Sequence, residues 1–122
     1  MPKKRLCGLN ASQQKIIDAY LQKLTSRISV AGVVLFGSHA YGKPTKHSDI
    51  DLIVLSSDFT TYSFGKRLIF LSRMRKDVAE DIALDVIGYT PKEFYTIEQE
   101  SAIGAQAKKK GVWLRSGAPG RP

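Results

Sequence analysis

Two short apolar runs, separated by a polar loop, constrain the fold of this chain more than any other feature. Residues 33–36 and 50–55 are rich in valine, leucine and isoleucine, and the first run stops at Gly37. Runs of this length that end at turn residues are typical of buried strands. Asp49 and Asp51 lie at the start of the second run. Because side chains alternate along a strand, both carboxylates should share one face, and the apolar residues beside them should point to the other.

The two carboxylates need compensation. Like charges held side by side disfavour each other, so Asp49 and Asp51 are tolerated only beside a cation or in open water. At the end of the preceding strand, Gly37 allows a close approach of the main chain, and the N–H groups that open a short helix can bind phosphate oxygens. The Ser38 hydroxyl is a further donor. Carboxylates for magnesium next to donors for phosphate indicate a nucleoside triphosphate site.

The spacing of these residues is specific. Gly37 and Ser38 are followed, after ten residues, by Asp49-Ile50-Asp51, with Gly42 and Ser48 between them. This pattern resembles the signature of the DNA polymerase β-like nucleotidyltransferase superfamily, in particular the minimal nucleotidyltransferases (MNT proteins), some of which are encoded beside HEPN-domain toxins. The resemblance implies an α/β fold, a small mixed β-sheet packed with helices. It also implies that Gly37, Ser38, Gly42 and Ser48 bind the nucleotide.

A third aspartate lies within another apolar run, residues 82–88, which is typical of a strand. Asp85 is at its centre, where a lone carboxylate is costly unless it is paired or faces water. If this strand lies beside the strand that carries Asp51, Asp85 completes a cluster with Asp49 and Asp51; otherwise it is an edge-strand aspartate facing water. The resemblance implies the cluster, with Asp49, Asp51 and Asp85 as the catalytic acids and the ligands of two Mg²⁺ ions.

The resemblance also implies a reaction, with ATP as the substrate. AMP would pass from ATP to a hydroxyl of a protein partner, and the leading candidate for that partner is a HEPN-domain toxin, with this chain as its antitoxin. Two other functions stay open. One is a binding module that neutralises a partner by contact alone. The other is nucleotidyl transfer to an RNA end, for which binding should weaken steeply with salt.

The segment between the Gly-Ser pair and the aspartates departs from part of the family. Some toxin-linked members carry an arginine there, whereas this chain has His39, Tyr41 and Lys43. Lys43, Lys46 and His47 could each neutralise a triphosphate oxygen or simply keep the loop soluble. His39 has the same two interpretations.

The net charge of +8 over 122 residues is typical of a chain with a polyanionic partner. Basic residues are concentrated at 3–5, along 66–76 and at 108–110. Solvated surfaces have the same composition, however, and no base-reading module accompanies the charge. Nucleic acid is therefore a weaker interpretation than a nucleoside triphosphate.

The length favours a single domain at residues 10–115, between a basic tail at 1–9 and a disordered tail at 116–122 that carries glycine and proline. No apolar segment approaches the ~20 residues that span a bilayer, and the start lacks the apolar stretch of a signal peptide. The single cysteine, Cys7, cannot form an internal disulfide. These features predict a cytoplasmic protein without a membrane partner.

Around the strands, apolar residues at helical spacing predict helices at 10–27 and at about 63–81. The second helix should have an apolar side in the core and basic residues in solvent. Thr90 followed by Pro91 and Glu93 predicts a capped helix start. One or two further helices should occupy 94–110, and 112–114 should form a last strand. Strands separated by helices predict an α/β sheet.

Overall fold

The computed structural model describes residues 8–45 and 48–116. Four strands form one sheet: β1 (Gly32–Phe36), β2 (Ile50–Leu55), β3 (Leu84–Tyr89) and β4 (Val112–Ser116). The α-helices are α1 (Ala11–Thr25), α2 (Ser38–Tyr41), α3 (Phe64–Arg73), α4 (Pro91–Tyr95) and α5 (Ala102–Lys110). Two 3₁₀ helices lie at Ser57–Thr61 and Ile97–Gln99.

The sheet is mixed, as predicted. Its strand order is β3-β2-β1-β4. β1 pairs antiparallel with both β2 and β4, whereas β2 and β3 are parallel. A parallel pair needs a crossover connection, which α3 provides here. Consequently the C-terminal end of β1 and the N-terminal ends of β2 and β3 meet at one edge of the sheet.

Helices cover both faces of the sheet. On one face, Tyr20 and Leu24 of α1 and Leu71 of α3 pack with Leu52 of β2 in the larger core. On the other face lies a smaller core, whose buried residues are Val34, Phe36, Ile53, Leu55, Phe94, Ile97 and Ala107. Since β2 alternates between these cores, Asp51 lies on the face of Ile53, and Ile50 and Leu52 lie on the other, as predicted.

The predicted helix starts are confirmed. Asn10 caps α1 through a reciprocal pair of hydrogen bonds with Gln13. Thr90 caps α4 in the same way with Glu93. Each pair satisfies two main-chain N–H groups that a helix start would otherwise leave unpaired.

The predicted helix at 63–81 is too long. The structure ends α3 at Arg73, and turns occupy the chain up to β3. Two features explain the end: Asp77 has a positive φ of 69°, and the Arg75 guanidinium donates to the carbonyls of Ala79, Ile82 and Leu84. The side chain thereby satisfies main-chain carbonyl groups of the turns and of the first residue of β3.

The prediction for the two sides of α3 is only partly right: Leu71 and Met74 are buried as expected, but three other residues are not where it puts them. Arg67 is only 3% exposed, whereas Leu68 and Ile69, expected in the core, are 50% and 55% exposed. The reason is an ion pair between the buried Arg67 and Glu93, whose side chain is 38% exposed. Arg67 binds both carboxylate oxygens of Glu93, at 2.7 and 3.1 Å, and this pairing allows the guanidinium to lie inside.

The predicted tails fall almost entirely outside the described residues. Leu9, at the end of the expected N-terminal tail, is buried in the larger core, and Ser116 is the last residue of β4. Within residues 8–45 and 48–116, no helix is long and apolar enough to cross a membrane.

Candidate functional site

The turn between β1 and α2 forms one side of the candidate site. Gly37 has φ 76° and ψ −156°, a conformation open to glycine and strained for other residues. α2 begins at Ser38, and Ala40 and Tyr41 donate their N–H groups back to the Gly37 carbonyl. The first N–H groups of a helix have no intrahelical acceptor, which makes the start of α2 a candidate for binding phosphate oxygens.

Two of the predicted acids lie side by side. Asp51 of β2 and Asp85 of β3 are register partners in the parallel pair, so their side chains share one face of the sheet. Burial raises the pKa of Asp51, and the charges of Asp85 and then Asp49 raise it further, while His39 lowers it. Asp85 therefore lies beside Asp51, and it is also exposed on the edge strand β3, so both parts of the sequence alternative, a neighbouring acid and contact with water, hold here.

The Gly37 turn lies directly against the central carboxylate. Phe36, the residue before the turn, pairs with Asp51 across β1 and β2. A Cβ atom on Gly37 would be 2.3 Å from Asp51 Oδ2, closer than any side chain could stay. The candidate phosphate-binding turn and the candidate metal ligand are therefore in van der Waals contact, with no room between them for a side chain at position 37.

Asp49 differs from the other two acids because it precedes the strand. The β2–β3 ladder begins at Ile50, whose N–H donates to the carbonyl of Ala83. The Asp49 side chain is exposed, and its carbonyl lies 3.0 Å from Nδ1 of His39. His39 is only 2% exposed. It is therefore neither a solvated loop residue nor free to bind a phosphate. Sequence reasoning did not identify this contact, because burial of a histidine leaves no signal in a single sequence.

The remaining predicted residues shape the loop. Gly42 ends α2, where a Cβ would be 2.8 Å from Ser38 Cα. Ser48 closes a tight turn with Thr45: its N–H donates to the Thr45 carbonyl, and its Oγ accepts from the Thr45 N–H at 2.9 Å. Nucleotide binding by Gly42 and Ser48 stays a prediction. Lys43 is exposed, and Lys46 and His47 lie outside the described residues.

The donor set at this edge fits magnesium in its chemistry. Mg²⁺ prefers oxygen ligands and is commonly held by one or two carboxylates together with substrate phosphates and water. Asp51 and Asp85 supply such a pair. Within the described part of the chain, however, no three histidine, cysteine, aspartate or glutamate side chains are grouped so that they could hold a metal ion by themselves. Two Mg²⁺ ions bound by Asp49, Asp51 and Asp85 therefore stay a prediction.

A separate cleft of about 660 Å³ lies at the opposite end of β2 and β3. Its lining includes Phe64, Tyr89 and Glu93. Burial raises the pKa of Tyr89, and the charges of Glu93 and Glu100 raise it further. We assign the candidate site to the edge with Asp51 rather than to this cleft, because the acids converge there on the glycine turn.

A mixed sheet with helices on both faces and acids beside a Gly-Ser turn defines the nucleotidyltransferase class of fold. Residues 15–114 match the family model described as nucleotidyltransferase domain, and the chain belongs to this family. A solved structure from Sulfolobus solfataricus, assigned as a nucleotidyltransferase, is similar with a TM-score of 0.61 and 18% sequence identity. The similarity covers 84% of this chain and 78% of that chain, and at this identity it supports the fold. No match was found among curated proteins.

Proposed function

We propose that this nucleotidyltransferase domain transfers AMP from ATP, with Mg²⁺, to a hydroxyl group of a protein partner, and that the partner is a HEPN-domain toxin. One observation carries the proposal. Asp51 and Asp85 are register partners on one face of the sheet, and Asp51 contacts the Gly37 turn. Metal-binding carboxylates next to phosphate donors are what a nucleotidyl transfer requires.

Residues of this chain would have three roles: metal binding, removal of the hydroxyl proton and phosphate binding. Asp49, Asp51 and Asp85 would hold the metal ions, and Asp85 would also help to remove the proton of the acceptor hydroxyl. The main-chain N–H groups after Gly37, with the Ser38 hydroxyl, would bind the β- and γ-phosphates. When bound, Mg²⁺ lowers the pKa of the attacking hydroxyl and neutralises charge on the leaving oxygens.

The bond changes balance without a further reactant. The acceptor oxygen forms a bond to the α-phosphorus, and the bond from that phosphorus to the oxygen bridging to the β-phosphate breaks. Pyrophosphate leaves with the electron pair of that bond, and the hydroxyl proton passes through the carboxylate to water. The product is a phosphodiester between AMP and the acceptor.

An exposed apolar surface on α3, on the face of the sheet opposite to Asp51 and Asp85, supports a protein partner. β3 is an edge strand, and α3 packs along it, with Arg67 donating to the Gly88 carbonyl at 3.2 Å. The outer side of α3 presents Phe64, Leu68 and Ile69, which are 52%, 50% and 55% exposed. We call these three residues the α3 patch. Exposed apolar side chains grouped on one surface are typical of protein–protein contact sites.

The distribution of positive charge also favours protein over RNA. Arg67 and Arg75 direct their guanidinium groups to main-chain carbonyls, and Lys108 pairs with Glu98. These side chains lie in two of the three basic segments of the sequence. Their charge is partly engaged within the protein and is therefore less available to a phosphate backbone.

Labelling with ATP tests the proposal. The protein is incubated with α-labelled ATP, Mg²⁺ and the product of the neighbouring gene, and the label should appear on that product. Asp49→Ala combined with Asp51→Ala should abolish labelling, whereas Asp18→Asn, on the exposed side of α1, should leave it unchanged. Neutralisation of the partner in cells by the double variant would instead identify contact alone as the mechanism.

A further inference from the structure

A buried histidine connects the two halves of the candidate site. His39 is on α2, which follows the Gly37 turn, and its imidazole is 2% exposed. Nδ1 lies 3.0 Å from the carbonyl oxygen of Asp49, ten residues further along the chain. A buried imidazole without a partner would be costly, and this contact supplies one.

The partner determines which imidazole nitrogen carries a proton. A carbonyl oxygen can only accept a hydrogen bond, so Nδ1 of His39 must be the donor. The Nδ1–H form is therefore present in the folded protein, whatever the state of Nε2. The proton on Nδ1 of His39 can be observed directly by nuclear magnetic resonance.

Asp49 needs such a contact because the sheet does not hold it. The ladder between β2 and β3 starts at Ile50, and Asp49 has an exposed side chain at the end of the loop. The hydrogen bond from His39 anchors its main chain to α2. On the other side, the Gly8 N–H donates to the His39 carbonyl at 2.6 Å, and a Cβ on Gly8 would be 2.9 Å from Pro44 Cγ. The histidine is thus held from both sides.

We propose that His39 is a positioning residue, which fixes Asp49 relative to the Gly37 turn so that a metal ion and the triphosphate can bind together. This inference rests on the proposed function and extends it to a buried side chain that acts through the main chain of Asp49. Hydrogen bonds that orient metal ligands change metal affinity by about 10- to 100-fold when they are removed.

The test compares two substitutions at this position. Leucine in His39→Leu fills a similar volume without a donor, whereas the amide N–H of His39→Asn can replace Nδ1–H. Binding of Mn²⁺ in the presence of ATP is measured by electron paramagnetic resonance, since Mn²⁺ uses the same oxygen ligands as Mg²⁺. We expect His39→Leu to weaken Mn²⁺ binding at least about 10-fold and His39→Asn to restore most of it.

A control separates positioning from loss of stability. Ser56 is also fully buried, and its Oγ accepts from the Asp58 N–H at 3.1 Å, but it lies at the other end of β2. Ser56→Ala should lower the melting temperature and leave Mn²⁺ affinity unchanged. Equal Mn²⁺ affinity in the parent protein and in His39→Leu would overturn the proposal, and so would an absence of Mn²⁺ binding in the parent.

A measurement on the unmodified protein covers the case in which His39→Leu does not fold. Nitrogen-15 correlation spectra of the imidazole distinguish the two tautomers. We expect a protonated Nδ1 at His39, and a neutral ring protonated only at Nε2 would overturn the proposal. Failure of the proposed function gives a different pattern: Mn²⁺ binding would still depend on His39, but no AMP would reach any protein.

Discussion

Gly37 and Asp51 lie so close together that a methyl group on Gly37 would be 2.3 Å from Asp51 Oδ2. The glycine also has φ 76° and ψ −156°, a region that other residues enter only under strain. Two independent reasons, backbone conformation and contact with a carboxylate, therefore require glycine where the first strand turns into α2.

Gly37→Ala should damage both stability and activity. The unfavourable backbone conformation costs about 1–3 kcal/mol, and the methyl group must also displace the Asp51 carboxylate. We expect the free energy of unfolding, measured in urea, to fall by at least that amount. Nucleotide transfer should fall more than stability alone explains, since the displaced carboxylate is a candidate metal ligand.

Gly65→Ala is the matched control. A Cβ at Gly65 meets nothing within 4 Å, and this glycine lies in α3. Gly65 is the second residue of α3, and alanine is favoured over glycine by at most about 1 kcal/mol, the value inside a helix, so this variant should be as stable as the parent or slightly more stable. Equal losses in the Gly37 and Gly65 variants would contradict the role of the turn.

Removing the charge of Asp51 should stabilise the protein while it abolishes metal binding. Burial, and then the charges of Asp85 and Asp49, raise the pKa of Asp51 above its ordinary value of 3.8. A raised pKa means that protonation of Asp51 stabilises the folded protein. This stabilisation is complete when the pH is below the ordinary pKa of 3.8, and it is lost as pH rises through the higher pKa of the folded protein. At neutral pH without metal, Asp51→Asn should therefore melt at a higher temperature than the parent.

The difference should shrink on acidification, because both proteins are then uncharged at this position. Thermal melting in the presence of a chelator, followed from neutral pH to below 4, measures this. Transfer activity of Asp51→Asn should fall at least about 100-fold, the upper range for losing an outer contact to a metal ligand. If Asp51→Asn were less stable than the parent at neutral pH, repulsion between the three carboxylates would not destabilise the folded protein.

The buried Arg67 should contribute strongly to stability. Its guanidinium binds the Glu93 carboxylate and donates to the carbonyls of Phe59, Tyr62 and Gly88. Arg67→Met leaves the carbonyl acceptors without their donor, and each unsatisfied buried acceptor costs about 1–3 kcal/mol, whereas Glu93, 38% exposed, remains hydrated. Urea unfolding measures the loss. Lys108→Met, which removes an exposed ion pair with Glu98, should change stability little.

The same pair predicts a pH dependence. The hydrogen bond from Arg67 lowers the pKa of Glu93 below its ordinary value of 4.5. A lowered pKa means that ionised Glu93 stabilises the folded protein. This stabilisation is complete above pH 4.5 and is lost as pH falls through the lower pKa of Glu93 in the folded protein. The parent should therefore lose more stability between pH 5 and pH 3 than Glu93→Gln does. Parallel acid-unfolding curves would contradict this assignment.

The α3 patch should matter for the partner and not for the nucleotide. Ile69→Asp places a charge in the exposed apolar surface, and we expect labelling of the partner protein to fall by at least about tenfold, since a buried unpaired charge disfavours the contact. Mn²⁺ binding with ATP should be unchanged. Ile103→Asp, at an exposed isoleucine of α5, is the control. Equal effects of both substitutions would remove the α3 patch as the docking surface.

Local sequence determined the elements that carry the site. The apolar runs predicted β1, β2 and β3, the Gly-Ser pair predicted the turn into a short helix, and Thr90 with Glu93 predicted the start of α4. Alternation along β2 was sufficient to predict that Asp51 faces away from Ile50 and Leu52. These features depend on neighbours within a few residues, which a single sequence displays directly.

Tertiary structure alone decided which residues meet. Only the register of β2 with β3 puts Asp85 beside Asp51, and only the packing of α2 buries His39 against the Asp49 carbonyl. Arg67, expected in solvent, is buried because Glu93, 26 residues away, compensates its charge. Such contacts join residues distant in sequence, and their energies depend on burial, so periodicity and spacing could not reveal them.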